Sequence, residues 1–255
     1  MDEEVRLTNR VGRRRPLSTG LLDWVDRELR RALPGRCAFC LGAGERGCPW
    51  CAPCFAALPW NQPACPCCGE PGVDGLAGRI CGACLREPPG FARTQAPLRY
   101  VGEVAGLMQR FKFQASPRAG TVLVALLEAG LPAERRAWPE ALVAVPLHPR
   151  RARARGFDQA HWLASRLARR LALPMVRAVR RRDTRSQRGL DRAGRRRNLR
   201  HAFAVERALP RRVVLLDDVM TTGSTLDALA RACRESGAEE VEVWAVARTP
   251  RHDLC

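Results

Sequence analysis

The chain has 255 residues, twelve cysteines and a formal net charge of +18, room for one large domain or a medium-sized domain with a small module. No apolar run reaches the roughly 18 residues of a membrane span, and the opening Met-Asp-Glu-Glu lacks the charged-then-apolar layout of a secretory signal, which argues against membrane insertion and makes the cytoplasm the expected compartment. There, cysteines point to metal or redox chemistry before disulfides.

The basic excess is arginine: Lys112 is the sole lysine among 44 Lys and Arg residues, a bias that reads as GC-rich coding more than selection for nucleic acid. Attraction to polyanions at low salt follows all the same. Residues 1–16 are polar, basic and aperiodic and predict a disordered tail. In 17–33, Leu21, Leu22, Val25 and Leu29 recur at helical spacing behind Ser18 as an N-cap candidate, so 1–35 reads as a tail and an amphipathic helix.

Residues 36–87 carry four C-x-x-C pairs: Cys37 with Cys40, Cys51 with Cys54, Cys65 with Cys68, and Cys81 with Cys84. Each pair forms a tight knuckle with two thiolates, and two knuckles complete a tetrahedral zinc site. Eight ligands predict two structural Zn2+ ions in a tandem ribbon, because so short a segment has too little apolar residue to fold without metal. The spacing leaves open whether Cys48 replaces Cys51, whether Cys67 replaces Cys65, and whether the knuckles pair in order or interleave. Cys233 and Cys255 lie outside the cluster and read as inert thiols.

Pro88-Pro89-Gly90 ends the module, and over 91–250 strand alternates with helix. Apolar runs predict strands at 96–101, 141–145, 175–179, 213–216 and 241–247, and helices at 104–113, 121–131, 156–171 and 226–234. That alternation predicts an α/β fold, a doubly wound parallel sheet preceded by the small ribbon module.

Two loops carry charge. After 141–145 comes Pro146-Leu147-His148-Pro149-Arg150-Arg151, and then Arg155-Gly156-Phe157-Asp158-Gln159 opens a helix. Arg150, Arg151 and Arg155 beside a helix N-terminus suit a pyrophosphate, since guanidinium forks grip phosphate oxygens bidentately. His148 reads as a ligand, an acid/base group or a loop-fixing hydrogen-bond partner. Residues 181–200, long and polar between ordered elements, read either as an active-site lid or as a solvated basic linker.

The most informative stretch is Val213-Val-Leu-Leu-Asp217-Asp218-Val-Met-Thr221-Thr222-Gly223-Ser224-Thr225. Two carboxylates stand at the C-terminal end of a buried strand, where open α/β sheets place ligands. Hydroxyls, free backbone N–H groups and a glycine at the next helix start form a phosphate cradle. Carboxylates beside a phosphate make sense when they accept hydrogen bonds from sugar hydroxyls while a divalent cation screens the charge. Ribose 5-phosphate meets both demands.

This stretch resembles the phosphoribosyl pyrophosphate (PRPP) loop of type I phosphoribosyltransferases. The tandem four-cysteine ribbon, Leu58-Pro59-Trp60, Val145-Pro146-Leu147-His148-Pro149, Arg155-Gly156-Phe157, the Thr184–Gln187–Leu190 spacing, Arg197-Asn198 and the PRPP loop follow one another as in the ComF/GntX family. That resemblance spans about residues 36–247. It implies a type I phosphoribosyltransferase fold, PRPP bound with Mg2+ at Asp217, Asp218 and 221–225, and pyrophosphate held by His148, Arg150, Arg151 and Arg155. It also implies a link to DNA uptake in natural transformation; with the +18 charge and the ribbon aromatics Trp50 and Trp60, which read either as stacking platforms or as core anchors, this makes single-stranded DNA an expected partner. If pentosyl transfer is retained, a metal ion and cations stabilise the departing pyrophosphate; Asp217, Asp218, Arg150 and Arg151 could supply that, with Asp217 and Asp218 as the catalytic candidates. Purine salvage enzymes carry an aspartate where this chain has Thr221, which disfavours hypoxanthine or guanine as acceptor. Two alternatives stay open: an active transferase of unassigned acceptor, and an interaction module with a vestigial pocket. Asp158 departs from the family's usual asparagine.

Overall fold

The computed structural model describes residues 35–45, 47–72, 78–132, 139–147, 157–180 and 202–250. The chain divides into two compact units, 1–55 and 56–255. The tail at 1–16, the helix expected at 17–33, the loop at 181–200 and the four pyrophosphate-loop residues His148, Arg150, Arg151 and Arg155 lie outside the described residues.

In the first unit, Cys37, Cys40, Cys51 and Cys54 converge. The short helix α1 (Ala52–Ala56) follows the second knuckle. Trp50 is only 6% exposed and stacks on Phe55 with ring centroids 5.0 Å apart, so it anchors this small body. An indole so placed is not a free platform for a nucleobase.

The second unit opens with the other tetrad, Cys65, Cys68, Cys81 and Cys84, whose last knuckle runs into α2 (Gly82–Arg86). Then come β1 (Arg93–Gln95), β2 (Leu98–Arg99), α3 (Gly102–Phe113), α4 (Pro117–Ala129), β3 (Ala141–Ala144), α5 (Gln159–Leu171), β4 (Met175–Val176), β5 (Ala178–Arg180), β6 (Phe203–Val205), β7 (Arg212–Met220), α6 (Ser224–Glu235) and β8 (Glu240–Arg248). The main sheet runs β1–β8–β7–β3–β4, with β2 also on β8, and every pair is parallel. A parallel sheet demands crossover helices on its faces, and the strands accordingly read as continuous apolar runs. Residues 141, 143, 213, 215, 241 and 243 share one cluster with Leu226, Leu229, Ala230 and Cys233 of α6. Helices α4 and α5 pack against β3, β7 and β8.

Several boundaries differ from the sequence expectation for identifiable reasons. The strand expected at 96–101 is only β2, and β1 precedes it unpredicted; Ala96-Pro97 separates the two, because proline has no N–H to give the ladder. Helix α4 starts at Pro117, with the Ser116 hydroxyl capping Ala119 N at 3.3 Å. Helix α5 starts at Gln159, capped by Asp158. Strand β7 does not stop at Leu216: pairing with β8 continues to Met220 opposite Arg248, so both aspartates lie within the strand.

Candidate functional site

Strand β3 ends opposite Leu216, so β7 projects Asp217 and Asp218 beyond it while remaining paired to β8. Each carboxylate folds back on the chain. Asp217 Oδ1 accepts from Asp218 N at 2.8 Å, and Asp218 Oδ1 accepts from Val219 N at 2.6 Å. Asp218 also receives Lys112 Nζ from the last turn of α3 at 2.9 Å, with the two side chains 16% and 13% exposed. Among the described residues no donor reaches the second oxygen, Oδ2, of either aspartate, which leaves one acceptor on each for a ligand.

Burial is the main reason that Asp217 titrates high, at about 7; the neighbouring Asp218 adds to the shift, while the Asp218 N–H and Lys112 oppose it. Near neutrality the pair therefore carries less negative charge than two free carboxylates, with an ammonium beside it. This bears on the phosphate repulsion that the sequence assigned to a divalent cation alone. Lys112 escaped the sequence reading because 106 residues separate it from Asp218, although its being the sole lysine was a visible signal.

After Met220 the chain turns sharply. Gly223 takes a left-handed conformation (φ +79°) as the residue before α6, and a Cβ there would come within 2.7 Å of Met220 Cε. The Thr222 and Ser224 hydroxyls lie 3.1 Å apart. Asp227 N donates to Gly223 O, while the N–H groups of Gly223, Thr225 and Leu226 find no acceptor among the described residues. These are the orphan donors of a helix start, aligned with the positive end of the helix dipole. Thr221, Thr222, Gly223, Ser224 and Thr225 thus gather at the same sheet edge as the aspartates.

Leu147 N, at the root of the predicted pyrophosphate loop, donates to Asp158 Oδ2 at 3.2 Å, and Asp158 Oδ1 caps His161 N at 2.9 Å. Asp158 therefore ties that loop to α5. Both carboxylate oxygens act as acceptors, a pair of bonds that the single oxygen of an asparagine could not make.

The cysteines sort without ambiguity. Within each tetrad the four Sγ atoms lie within 4.8 Å of one another. Cys40 and Cys51 are 3.8 Å apart at sulfur, and Cys68 and Cys81 are 3.7 Å apart. A tetrahedral ion with Zn–S bonds of about 2.3 Å needs sulfur separations of about 3.8 Å, so the donor set fits Zn2+. The knuckles pair in chain order, and Cys48 and Cys67 are outside both tetrads. Burial pushes the Cys37 and Cys81 thiols up, but hydrogen bonds from backbone N–H groups and neighbouring cysteines outweigh it and hold them at about 6 and 7; hydrogen bonding to Cys51 and Cys40 raises their tetrad partner Cys54 to about 12, and burial raises Cys68 to about 11 and Cys84 as well.

Comparison with known proteins gives the same two parts. A double zinc ribbon domain matches residues 29–85, and a phosphoribosyl transferase domain matches residues 155–253. Competence protein F of Haemophilus influenzae is 37% identical over 194 residues, covering 72% of this chain and 85% of that protein. The chain belongs to the ComF/GntX family. Another family relative, DNA utilization protein YhgH of Escherichia coli, is 34% identical over 227 residues, or 85% of this chain and 98% of that one. YhgH of Salmonella typhi is likewise 34% identical, over 229 residues. Two cysteine tetrads within a double zinc ribbon support structural zinc, and no described helix is long and apolar enough to cross a membrane.

Proposed function

We propose that the protein binds PRPP with Mg2+ through Asp217, Asp218 and residues 221–225, and that it acts in DNA uptake or DNA utilization, where it also holds single-stranded DNA. The observation that carries the first part is a juxtaposition. Two aspartates, each with a free carboxylate oxygen, stand on β7 directly before a left-handed glycine and unsatisfied helix N–H groups. In this reading the aspartates take the 2′- and 3′-hydroxyls of the ribose, and the N–H groups and hydroxyls of 221–225 take the 5′-phosphate. His148, Arg150, Arg151 and Arg155 are assigned to the pyrophosphate. Mg2+, held with the ligand beside Asp217 and Asp218, would screen the pyrophosphate charge from the carboxylates.

The second part draws on the names of the relatives, competence and DNA utilization, and on the +18 charge of this chain. The arginines are its natural phosphate contacts, since Trp50 is occupied with Phe55.

The reading is tested by thermal unfolding with PRPP and Mg2+, against ribose 5-phosphate and against PRPP with Mg2+ omitted. A ligand at about 100 times its Kd stabilises by about 2.7 kcal/mol, a rise of roughly 5–10 °C for a body of this size. Equal unfolding temperatures with and without millimolar PRPP and Mg2+ would overturn it.

A further inference from the structure

We propose that Arg248 and Glu70 are positioning residues that couple the second zinc site to the phosphate loop, so that zinc at Cys65, Cys68, Cys81 and Cys84 and a phosphoribosyl ligand at 221–225 hold one another in place. The proposal rests on the reading of that loop given above.

Arg248 ends β8 with its side chain 0% exposed, although a buried guanidinium is expensive unless every donor is used. Here they point two ways. Nε donates to the carbonyl of the zinc ligand Cys68 at 3.1 Å, and Nη2 meets Glu70 Oε2, two residues further along the chain, at 2.5 Å. In the other direction Nη1 donates to Met220 O at 3.1 Å and to Thr221 O, and it also reaches Thr249 O. Met220 ends β7 and Thr221 opens the turn that leads to Gly223. One rigid planar group therefore fixes a zinc-binding knuckle and the entry to the phosphate loop at a set separation.

Other contacts confine the same elements. Thr94 of β1 donates its hydroxyl to Cys67 O at 2.7 Å, and Asn61 Nδ2 donates to Gly69 O at 2.8 Å. Gly90, just past the ribbon, donates its N–H to Asp227 Oδ1 of α6 at 2.6 Å, and its carbonyl accepts from Arg234. Cys68, Cys84, Phe91, Gly223 and Ser224 line one small cavity. The ribbon is thus a wall of the loop. Without zinc the 65–84 knuckles lose what folds them, and Cys68 O and Glu70 no longer hold the guanidinium that carries Met220 and Thr221. The first tetrad belongs to the other compact unit, so only one of the two zinc ions should respond.

Such coupling is reciprocal: if zinc strengthens ligand binding, the ligand tightens zinc binding by the same factor, and couplings of this kind are typically worth about 5–150-fold. The experiment uses the full chain loaded with two zinc ions. Zinc affinity is read by equilibrium competition with a chromogenic chelator, with and without saturating PRPP and Mg2+, and PRPP affinity is measured separately by calorimetry. The expected result is that one zinc of the two is held at least about fivefold more tightly with PRPP, while the other is unchanged. Cys51→Ser, which dismantles the first tetrad, should leave the protected zinc in place. Glu70→Gln keeps the side-chain shape but gives up the charge; it should weaken PRPP binding several-fold and abolish the protection while both zinc ions still bind. If PRPP binds the wild-type chain yet both zinc ions are held with unchanged affinity, the coupling is refuted and the reading of the loop survives. If calorimetry detects no PRPP binding, that reading falls and takes the coupling with it.

Discussion

Replacing Lys112 by methionine removes one ammonium and keeps the unbranched stem that packs at the end of α3. Its 2.9 Å contact with Asp218 is the only ion pair that the described residues make with either aspartate. Exposed pairs contribute about 0.2–1 kcal/mol, whereas breaking a fully buried one costs about 3–5 kcal/mol. At 16% and 13% exposure this pair lies between them, and a charged hydrogen bond of its kind is worth about 1.5–3 kcal/mol. Lys112→Met should therefore destabilise the ligand-free protein by about 2 kcal/mol. Urea unfolding followed by tryptophan fluorescence reads this directly, because Trp244 is buried in β8. Asp218→Asn completes a double-mutant cycle. Once the carboxylate is neutral the lysine has little left to hold, so the second substitution should cost much less than the first, with a coupling of about 1–2 kcal/mol. A single variant within about 0.5 kcal/mol of wild type, with additive effects in the cycle, would refute the role assigned to Lys112.

Elemental analysis of protein purified without chelator should give two zinc ions per chain, and a content near one would remove one of the tetrads. The high pKa of Asp217, about 7, means that its protonated form favours the empty fold: that stability is complete below the ordinary carboxylate range, near about pH 4, and is lost as pH rises through about 7. Asp217→Asn should remove this stretch of the pH–stability profile, and superimposable profiles for variant and wild type would contradict the burial argument. Single-stranded DNA should bind with a log–log salt slope of about −0.7 per neutralised phosphate, and excess PRPP should not displace it. Fluorescence anisotropy of a labelled oligonucleotide with no change at about 50 mM salt, an ionic strength of roughly one third of physiological, would dispose of that partner.

Much of this was legible in the chain because it is local. The apolar runs at 141–145, 213–216 and 241–247 each became a strand of the central sheet, and the C-x-x-C spacing named the eight ligands that converge. The end of β7 was not legible, since Asp217 and Asp218 break the apolar pattern and are held in the strand by pairing with β8. Nor was the β5–β6 hairpin, whose three-residue strands are too short to show a period and are separated by 22 residues. The pairing of the knuckles and the exclusion of Cys48 and Cys67 needed three dimensions. So did Lys112 and Arg248, which act on groups 106 and about 180 positions away in the chain. Trp50 also needed three dimensions: the sequence allows either a stacking platform or a core anchor, and the structure makes it a core residue of its ribbon.

The central claim is that Asp217 and Asp218 hold the ribose of PRPP, and calorimetric titration of the wild-type chain beside the Asp217→Asn/Asp218→Asn double variant tests it most directly. Each lost hydrogen bond to a charged acceptor should cost about 1.5–3 kcal/mol, so the double variant should bind Mg2+·PRPP at least about 100-fold more weakly, or not measurably. Its fold should persist, because both side chains sit at the sheet's edge. Equal affinity in the two proteins would contradict the account.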